Sequence, residues 1–475
     1  MQDFETISNM PQLLAALERK AADQVILRYL DDGEPTDMTA PQFYGQASRC
    51  AAALEPFRGK HIGLIGPNVP QWLMWFAGIF KAGAVAVLLS PDLDPEQLSQ
   101  RAAQVDLSCI VYHESLSQVV SRAELALPTV SMDTITPDAP ASMADPDPES
   151  LACILFTSGT TAIPKAVMLS QKAMVASVCH DVVGLPFRAQ LTVLPLHHVA
   201  GFATVLNTWY LGRLLCLGQE ARYLTRYLER LEPDYTLLVP SLLQSLVRKL
   251  RKGGPNGRDL GWDLHLIGCG GAKFQPEMIQ ILNDHQIRVL QSYGATELGG
   301  LGFDTEMTPH CADTIGKAPA QIQTKILDGE LLLRCDSMMM GYYGDPDATR
   351  EVLIDGWYAT GDLCRQDEDG YLYLQGRKRD LIILSGGENV SPEWIESRLL
   401  AIPEIREVLV TAEDDLIAAT ILPMDESLST RQQIQAAVDA YDRTVPTYQQ
   451  VHRLHFTQTP FPRTPSGKLI RRKDP

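Results

Sequence analysis

No Cys-x-x-Cys pair occurs in this sequence, and its nine cysteines are scattered along the chain. That odd, dispersed set argues against a zinc site and against a disulfide framework. Basic residues are outnumbered: 41 Lys and Arg stand against 58 Asp and Glu, a net charge of −17. Such acidity excludes general binding to nucleic acid or to an anionic membrane, while leaving room for a local basic pocket around a phosphate ligand. Long uninterrupted apolar runs are missing too. The most apolar stretch, QWLMWFAGIFKAGAVAVLLSPD, is broken by Lys81, Gly83 and Pro91, which predicts a buried helix followed by a strand and not a membrane span. The opening MQDFETISNM has neither a basic n-region nor an apolar h-region, so no signal peptide is expected. Internal repeats and low-complexity tracts are absent. The expectation is a cytoplasmic protein of 475 residues, 45% hydrophobic, with apolar content for a sizeable core and length for two or three domains.

Within that length the pattern is regular. Short apolar runs (HIGLIG, VAVLLS, CIVYH, CILFTS) alternate with amphipathic segments such as QFYGQASRCAAALEPF and PEQLSQRAAQV, and YTLLVP, DLHLIGCGG and RVLQSYG continue the series. This alternation predicts βαβ units and largely parallel sheets. The texture changes at GELLLRCDSMMMGYYGDPD and GWYATGDLCRQDEDGYLYLQGRKRD, where closely spaced turn residues predict a small antiparallel sheet or barrel. After GRKRD come helix-like SPEWIESRLLAI, strand-like EVLVTA and DLIAATILP, and helical TRQQIQAAVDAYDR. The fold class expected is therefore α/β. A large N-terminal domain of parallel-rich αβ layered sheets with a small β-barrel-like part occupies 1–376, a hinge 377–380, and a small α+β C-terminal domain 381–475.

One loop stands out. In ILFTSGTTAIPKAVML a strand-like run breaks into Thr157, Ser158, Gly159, Thr160 and Thr161, then reaches Pro164 and Lys165. Successive backbone N–H groups and four hydroxyls suit phosphate oxygens, and Lys165 adds a point charge for the same polyphosphate. Alone, SGTT would read as a solvated turn. After a buried strand and before Pro-Lys it reads as an anion-binding loop. It is not a Walker A loop, which needs Gly at 164 and Ser or Thr at 166, where Pro164 and Ala166 stand. A P-loop kinase or GTPase is thereby disfavoured.

TSGTTAIPKAVML resembles the phosphate loop of the adenylate-forming enzymes, which include acyl- and aryl-CoA synthetases, peptide-synthetase adenylation domains and luciferases. Four further motifs follow in the family's order, covering the chain from about residue 150 onward. SYGATELG is similar to the segment whose Thr and Glu meet the α-phosphate and magnesium, here Thr296 and Glu297, with Tyr293 placed against adenine. YATGDL implies a ribose-binding Asp362. GRKRDLIILSGGENVSP implies a ribose-binding Arg377, a hinge at Arg379 and a thiol-tunnel turn at Gly386 and Gly387, and PRTPSGKL implies the catalytic lysine, Lys468. Taken singly, Glu297 and Asp362 would be ordinary surface carboxylates and Lys468 a solubilising lysine in a polar tail. Their place in the ordered set of motifs that resembles the family changes that reading. Where the family usually has glycine in the phosphate loop, this chain has Ala162 and Ala166, the smallest replacements, with Thr157–Thr161 and Lys165 intact.

The resemblance also implies an acyl pocket. In LPLHHVAGF, His198 matches a histidine near that pocket in aryl- and fatty-acyl-CoA synthetases, although His197 and His198 also read as helix-start or core residues. GCGGAKF would line the pocket with Gly270, Gly271 and Ala272. The Phe-Asp pair that peptide-synthetase domains use to hold an α-amino group is not found here. The activity implied is an ATP-dependent ligation of a small aryl or apolar carboxylic acid to coenzyme A through an acyl-adenylate. Lys165, Thr296, Glu297 and Lys468 would act at the phosphates, Glu297 would be the Mg2+ ligand, and ATP and coenzyme A the co-substrates. Two alternatives stand beside it: an adenylating enzyme that loads an acyl or peptidyl carrier protein, and a non-catalytic nucleotide-binding protein.

Overall fold

The computed structural model describes residues 6–134, 144–157, 164–178, 187–252, 262–270, 276–300, 302–307, 314–462 and 469. Two large sheets dominate. The first has seven strands in the order Gly341–Tyr342, Ala166–Ser170, Leu151–Phe156, Val85–Leu89, His61–Ile65, Cys109–Tyr112 and Thr129–Ser131. All neighbouring pairs from Leu151–Phe156 onward are parallel, and the first two strands run antiparallel. The second has eight strands, from Gly302–Glu306 through Arg288–Gly294, Leu266–Gly270, Tyr235–Leu238, Ala189–Thr192, Leu214–Leu217 and Val25–Asp31 to Glu34–Thr39. Only its two edge strands are antiparallel.

Between these sheets lies the largest apolar core. It joins Ile62, Leu64 and Leu88 of the first sheet to Leu27, Leu215 and Leu217 of the second through the helices Ala40–Leu54, Pro70–Lys81 and Val199–Tyr210. The near-continuous apolar run of Pro70–Lys81 now has a cause: every residue from Trp72 to Phe80 is buried. A helix enclosed on all sides has no face to give to charge. Gly78 lets it approach Ala40–Leu54, since a Cβ there would lie 2.6 Å from the Cβ of Cys50.

The β-barrel-like part is a five-stranded antiparallel sheet, Gln323–Leu327, Glu330–Arg334, Leu353–Ile354, Trp357–Gln366 and Leu372–Arg377. After it, the helices Pro392–Leu399 and Leu428–Asp442 pack with the strands Ile405–Glu413, Leu416–Pro423 and Arg453–Phe456 around a separate core that includes Ile395, Val408, Ile421 and Ile434. The fold is thus a large αβ-layered N-terminal domain and a small α+β C-terminal one. Among the described residues no helix is long and apolar enough to cross a membrane.

Candidate active site

The phosphate-loop motif follows the carboxyl end of a parallel strand at Phe156, and the GCGG segment and the SYGATELG motif run through the carboxyl ends of two others, at Gly270 and Gly294. That rim is where open α/β sheets hold ligands, because loops and helix N-termini converge there. At the first of these ends the Thr157 amide donates to the Lys165 carbonyl at 3.0 Å and closes the neck of the loop. Ser158, Gly159, Thr160, Thr161 and Ala162 lie outside the described residues. Ala166 faces Phe156 in register, is 1% exposed, and puts its methyl group into the core under the neck.

Lys165 holds its ammonium 4.7 Å from the centre of the Tyr342 ring. The Tyr342 hydroxyl in turn donates to Oε1 of Glu297 at 2.9 Å. Burial, and then the Glu297 charge, push the phenol far above its ordinary range, so it stays a donor. Glu297 sits with Thr296 in the single turn Thr296–Leu298. Gly299 and Gly300 follow with φ of 66° and 99°, and a Cβ at Gly300 would meet Ala203 at 2.7 Å. Glycine is required there both for the left-handed backbone and to press the turn against the helix Val199–Tyr210.

A second group forms in the antiparallel sheet. Asp362 and Arg377 are register partners on adjacent strands. Arg377 Nε lies 2.7 Å from Asp362 Oδ1, and the Tyr293 hydroxyl donates to Asp362 Oδ2 at 2.6 Å. Burial pulls the Arg377 guanidinium down, but the Asp362 charge and the nearby tyrosines outweigh it and raise it overall. The Tyr293 ring lies 5.5 Å from Phe303. Tyr358 joins the two groups: its buried phenol, pushed up first by burial, feels Glu297, Tyr342, Tyr293 and Arg377. The two groups are also joined along the chain, since Tyr293, near the end of its strand, lies four residues before Glu297, so Lys165, Tyr342, Glu297, Tyr293, Asp362 and Arg377 form one connected set.

His198 caps the helix Val199–Tyr210 with extended backbone, and its carbonyl accepts from the Gly201 amide at 2.9 Å. Its ring is 4.2 Å from that of His197. Burial holds both imidazoles below their ordinary range, His197 at about 3, so both are neutral at pH 7. Gly270 ends its strand opposite Ser292, and a Cβ there would sit 3.2 Å from the Ser292 carbonyl. Gly271 and Ala272 lie outside the described residues, as does Lys468. Gly386 and Gly387 occupy an exposed turn closed by the Gly387 amide on the Leu384 carbonyl at 2.9 Å. Arg379 lies in the turn Lys378–Asp380, more than half exposed and 3.7 Å from Asp380. The neighbouring Lys378 pairs with Glu330 at 2.8 Å.

Tyr342 and Tyr358 were missed by sequence reasoning. Tyr342 falls in MGYYGDPD, whose turn residues signalled only a β-rich segment. Tyr358 opens YATGDL, where the aspartate drew the reading.

The chain belongs to the AMP-binding enzyme family, which is matched over residues 15–343. The AMP-binding enzyme C-terminal domain is matched over 379–474. The chain is similar to a long-chain-fatty-acid–CoA ligase of Mycobacterium tuberculosis, 27% identical with 96% of each chain covered. A fatty acid–[acyl-carrier-protein] ligase of Mycobacterium marinum is 25% identical, with 87% of each covered. Among solved structures, O-succinylbenzoate coenzyme A synthetase from Bacillus subtilis in complex with AMP superposes with a TM-score of 0.83 at 22% identity, with 97% of each chain covered.

Proposed function

We propose that this protein is an ATP-dependent carboxylic acid–CoA ligase that works through an acyl-adenylate on an aryl or apolar acyl acid. The observation that carries the reading is that the short segment from Tyr293 to Glu297 holds two groups together: Glu297 with Tyr342 and, through that ring, Lys165; and Tyr293 with Asp362 and Arg377. Membership of the AMP-binding enzyme family and the CoA-ligase relatives support it.

In the first step the substrate carboxylate attacks the α-phosphate of ATP, forming the acyl–O–P bond and releasing pyrophosphate. Lys165, with the hydroxyls and amides of Thr157–Thr161, holds the polyphosphate, and Thr296 meets the α-phosphate. Glu297 Oε1 is taken by Tyr342, and Oε2 has no hydrogen-bond partner among the described residues. That carboxylate oxygen suits a hard, partly hydrated magnesium ion, whose charge would offset repulsion among the phosphates. Asp362 and Arg377 take the ribose, Tyr293 lies by the adenine, and Lys468 neutralises charge at the pentavalent phosphorus. His198, Gly270, Gly271 and Ala272 border the acyl group. Domains 1–376 and 381–475 then turn about 377–380, with Arg379 as the pivot, and Gly386 and Gly387 come to the thiol path. The CoA thiol attacks the acyl carbon and AMP leaves. Such a rotation is reasonable because lysine and thiol need not be present together. The carrier-protein-loading relative favours a second reading, in which the thiol belongs to a carrier's phosphopantetheine arm.

A panel of carboxylic acids read by pyrophosphate release, with and without CoA, tests the function. Acid-dependent release followed by thioester formation is expected, and the absence of release with every acid in the panel would leave a nucleotide-binding protein. In the same panel His198→Ala is expected to reorder kcat/KM among aryl and aliphatic acids with ATP binding unchanged. An identical ranking would return His198 to a purely structural role.

Gly387 has φ of 88° and an unobstructed Cβ direction. Gly387→Leu is expected to keep acyl-AMP formation but slow thioester formation about tenfold or more, through backbone strain in the turn and bulk in the thiol path. Equal loss of both half-reactions in a folded variant would contradict this division.

A further inference from the structure

The stretch from Met339 to Tyr343 connects the two large sheets at the site. Its Met339 amide donates to the Glu297 carbonyl at 2.8 Å. Its Met340 amide donates to the Met168 carbonyl and its Tyr343 amide to the Ala166 carbonyl, both at 2.8 Å. Tyr342 is thus bolted by backbone bonds to the strand that leaves the phosphate loop, two register positions from Lys165, and, through Met339 three residues before it, to the turn that carries Glu297. The segment is itself held from behind. The Tyr342 amide donates to Thr349 Oγ1 at 2.9 Å, and Gly341, with φ of 143°, lies so close to Thr349 that a Cβ would be 2.7 Å from its methyl group.

The side chain of Tyr342 is 5% exposed and faces both charges. Its ring lies under the Lys165 ammonium, while its hydroxyl holds one oxygen of Glu297. A phenol can do both: the negative π face attracts the cation, and the O–H donates to the carboxylate. Phenylalanine would keep the first contact and lose the second. A carboxylate held on Oε1 can turn only about that bond, so its other oxygen is aimed.

Resting on the ligase reading above, we propose that Tyr342 is a positioning residue that sets the spacing between the phosphate-binding ammonium of Lys165 and the magnesium-binding carboxylate of Glu297. It touches neither substrate nor reacting atom. Its work is to bring a lysine of the seven-stranded sheet and a glutamate at the rim of the eight-stranded sheet to a fixed separation, so that one polyphosphate with its metal ion meets both.

The test is ATP binding by calorimetry as a function of magnesium concentration, on the folded full-length protein, independent of any acid substrate. Tyr342→Phe is expected to raise the magnesium concentration for half-maximal ATP binding about tenfold, the effect of losing a hydrogen bond to a charged group, with ATP affinity in EDTA unchanged. Tyr342→Leu is expected to show the same magnesium shift and also about threefold weaker binding in EDTA, from loss of the cation–π contact. In a Glu297→Gln background, Tyr342→Phe is expected to add nothing to the magnesium dependence. A wild-type magnesium curve for Tyr342→Phe would overturn the proposal. So would equal weakening with and without magnesium, which marks a merely structural loss. Failure of the wild-type protein to bind ATP is a different result: it removes the ligase reading, and this role with it.

Discussion

Lys468→Ala is expected to abolish acyl-adenylate formation while leaving the conversion of supplied acyl-AMP and CoA to thioester near its wild-type rate. A positive charge between the attacking carboxylate and the α-phosphate gains most when negative charge peaks, in the pentavalent transition state. Its removal therefore falls on kcat and leaves ATP binding nearly unchanged. One such contact contributes about 3–4 kcal/mol, or about 10²–10³-fold in rate. The thiol step starts from a preformed mixed anhydride and needs no new charge at phosphorus. In the rotated arrangement proposed above, Lys468, which falls within the matched C-terminal domain, would be withdrawn. Both half-reactions are to be run on one purified, folded preparation. Normal adenylation, or a matching collapse of the second step, would sink the two-state mechanism.

The second large effect is expected at Asp362, and it is double. Asp362 is 5% exposed and receives Arg377 on one oxygen and Tyr293 on the other. A carboxylate accepts at about four lone-pair sites, and the proposed ribose role draws on that capacity. Asp362→Ala removes a charged acceptor from those hydroxyls, a loss of about 1.5–3 kcal/mol, so ATP KM should rise roughly 10- to 150-fold. It also strands a guanidinium and a phenol. Breaking a buried pair costs about 3–5 kcal/mol, and Arg377, whose side chain is 37% exposed, places the expected loss at the low end of that range. Asp362→Asn separates the two effects, because it keeps the shape and a neutral acceptor. Thermal unfolding and ATP titration of both variants are the measurements. Unchanged ATP affinity in folded Asp362→Ala would remove this residue from the ribose site.

Some of the molecule could be read directly from local patterns. HIGLIG, VAVLLS, CIVYH and CILFTS predicted strands, and QFYGQASRCAAALEPF and PEQLSQRAAQV helices. The structure has strands at His61–Ile65, Val85–Leu89, Cys109–Tyr112 and Leu151–Phe156 and helices at Ala40–Leu54 and Pro95–Gln104, overlapping each of them. Periodicity and turn residues act over a few positions, so they survive in one dimension. The strands Val25–Asp31, Ala189–Thr192 and Leu214–Leu217 were not singled out.

What the sequence by itself determined was the set of chemical groups and their order along the chain: a hydroxyl-rich loop ending in Lys165, then Thr296 and Glu297, Asp362, Arg377 and Lys468. The tertiary structure alone decided which of them share a space and what holds them there. Tyr342 is 177 residues from Lys165 in sequence, counting from their numbers, yet its ring lies under that lysine because its two-residue strand pairs beside Ala166–Ser170. Asp362 meets Arg377 because an antiparallel register sets them opposite each other, and Tyr293 reaches the same carboxylate from another sheet. Such contacts are made by strand order and packing between sheets, and neither leaves a periodic trace in the residues that make them.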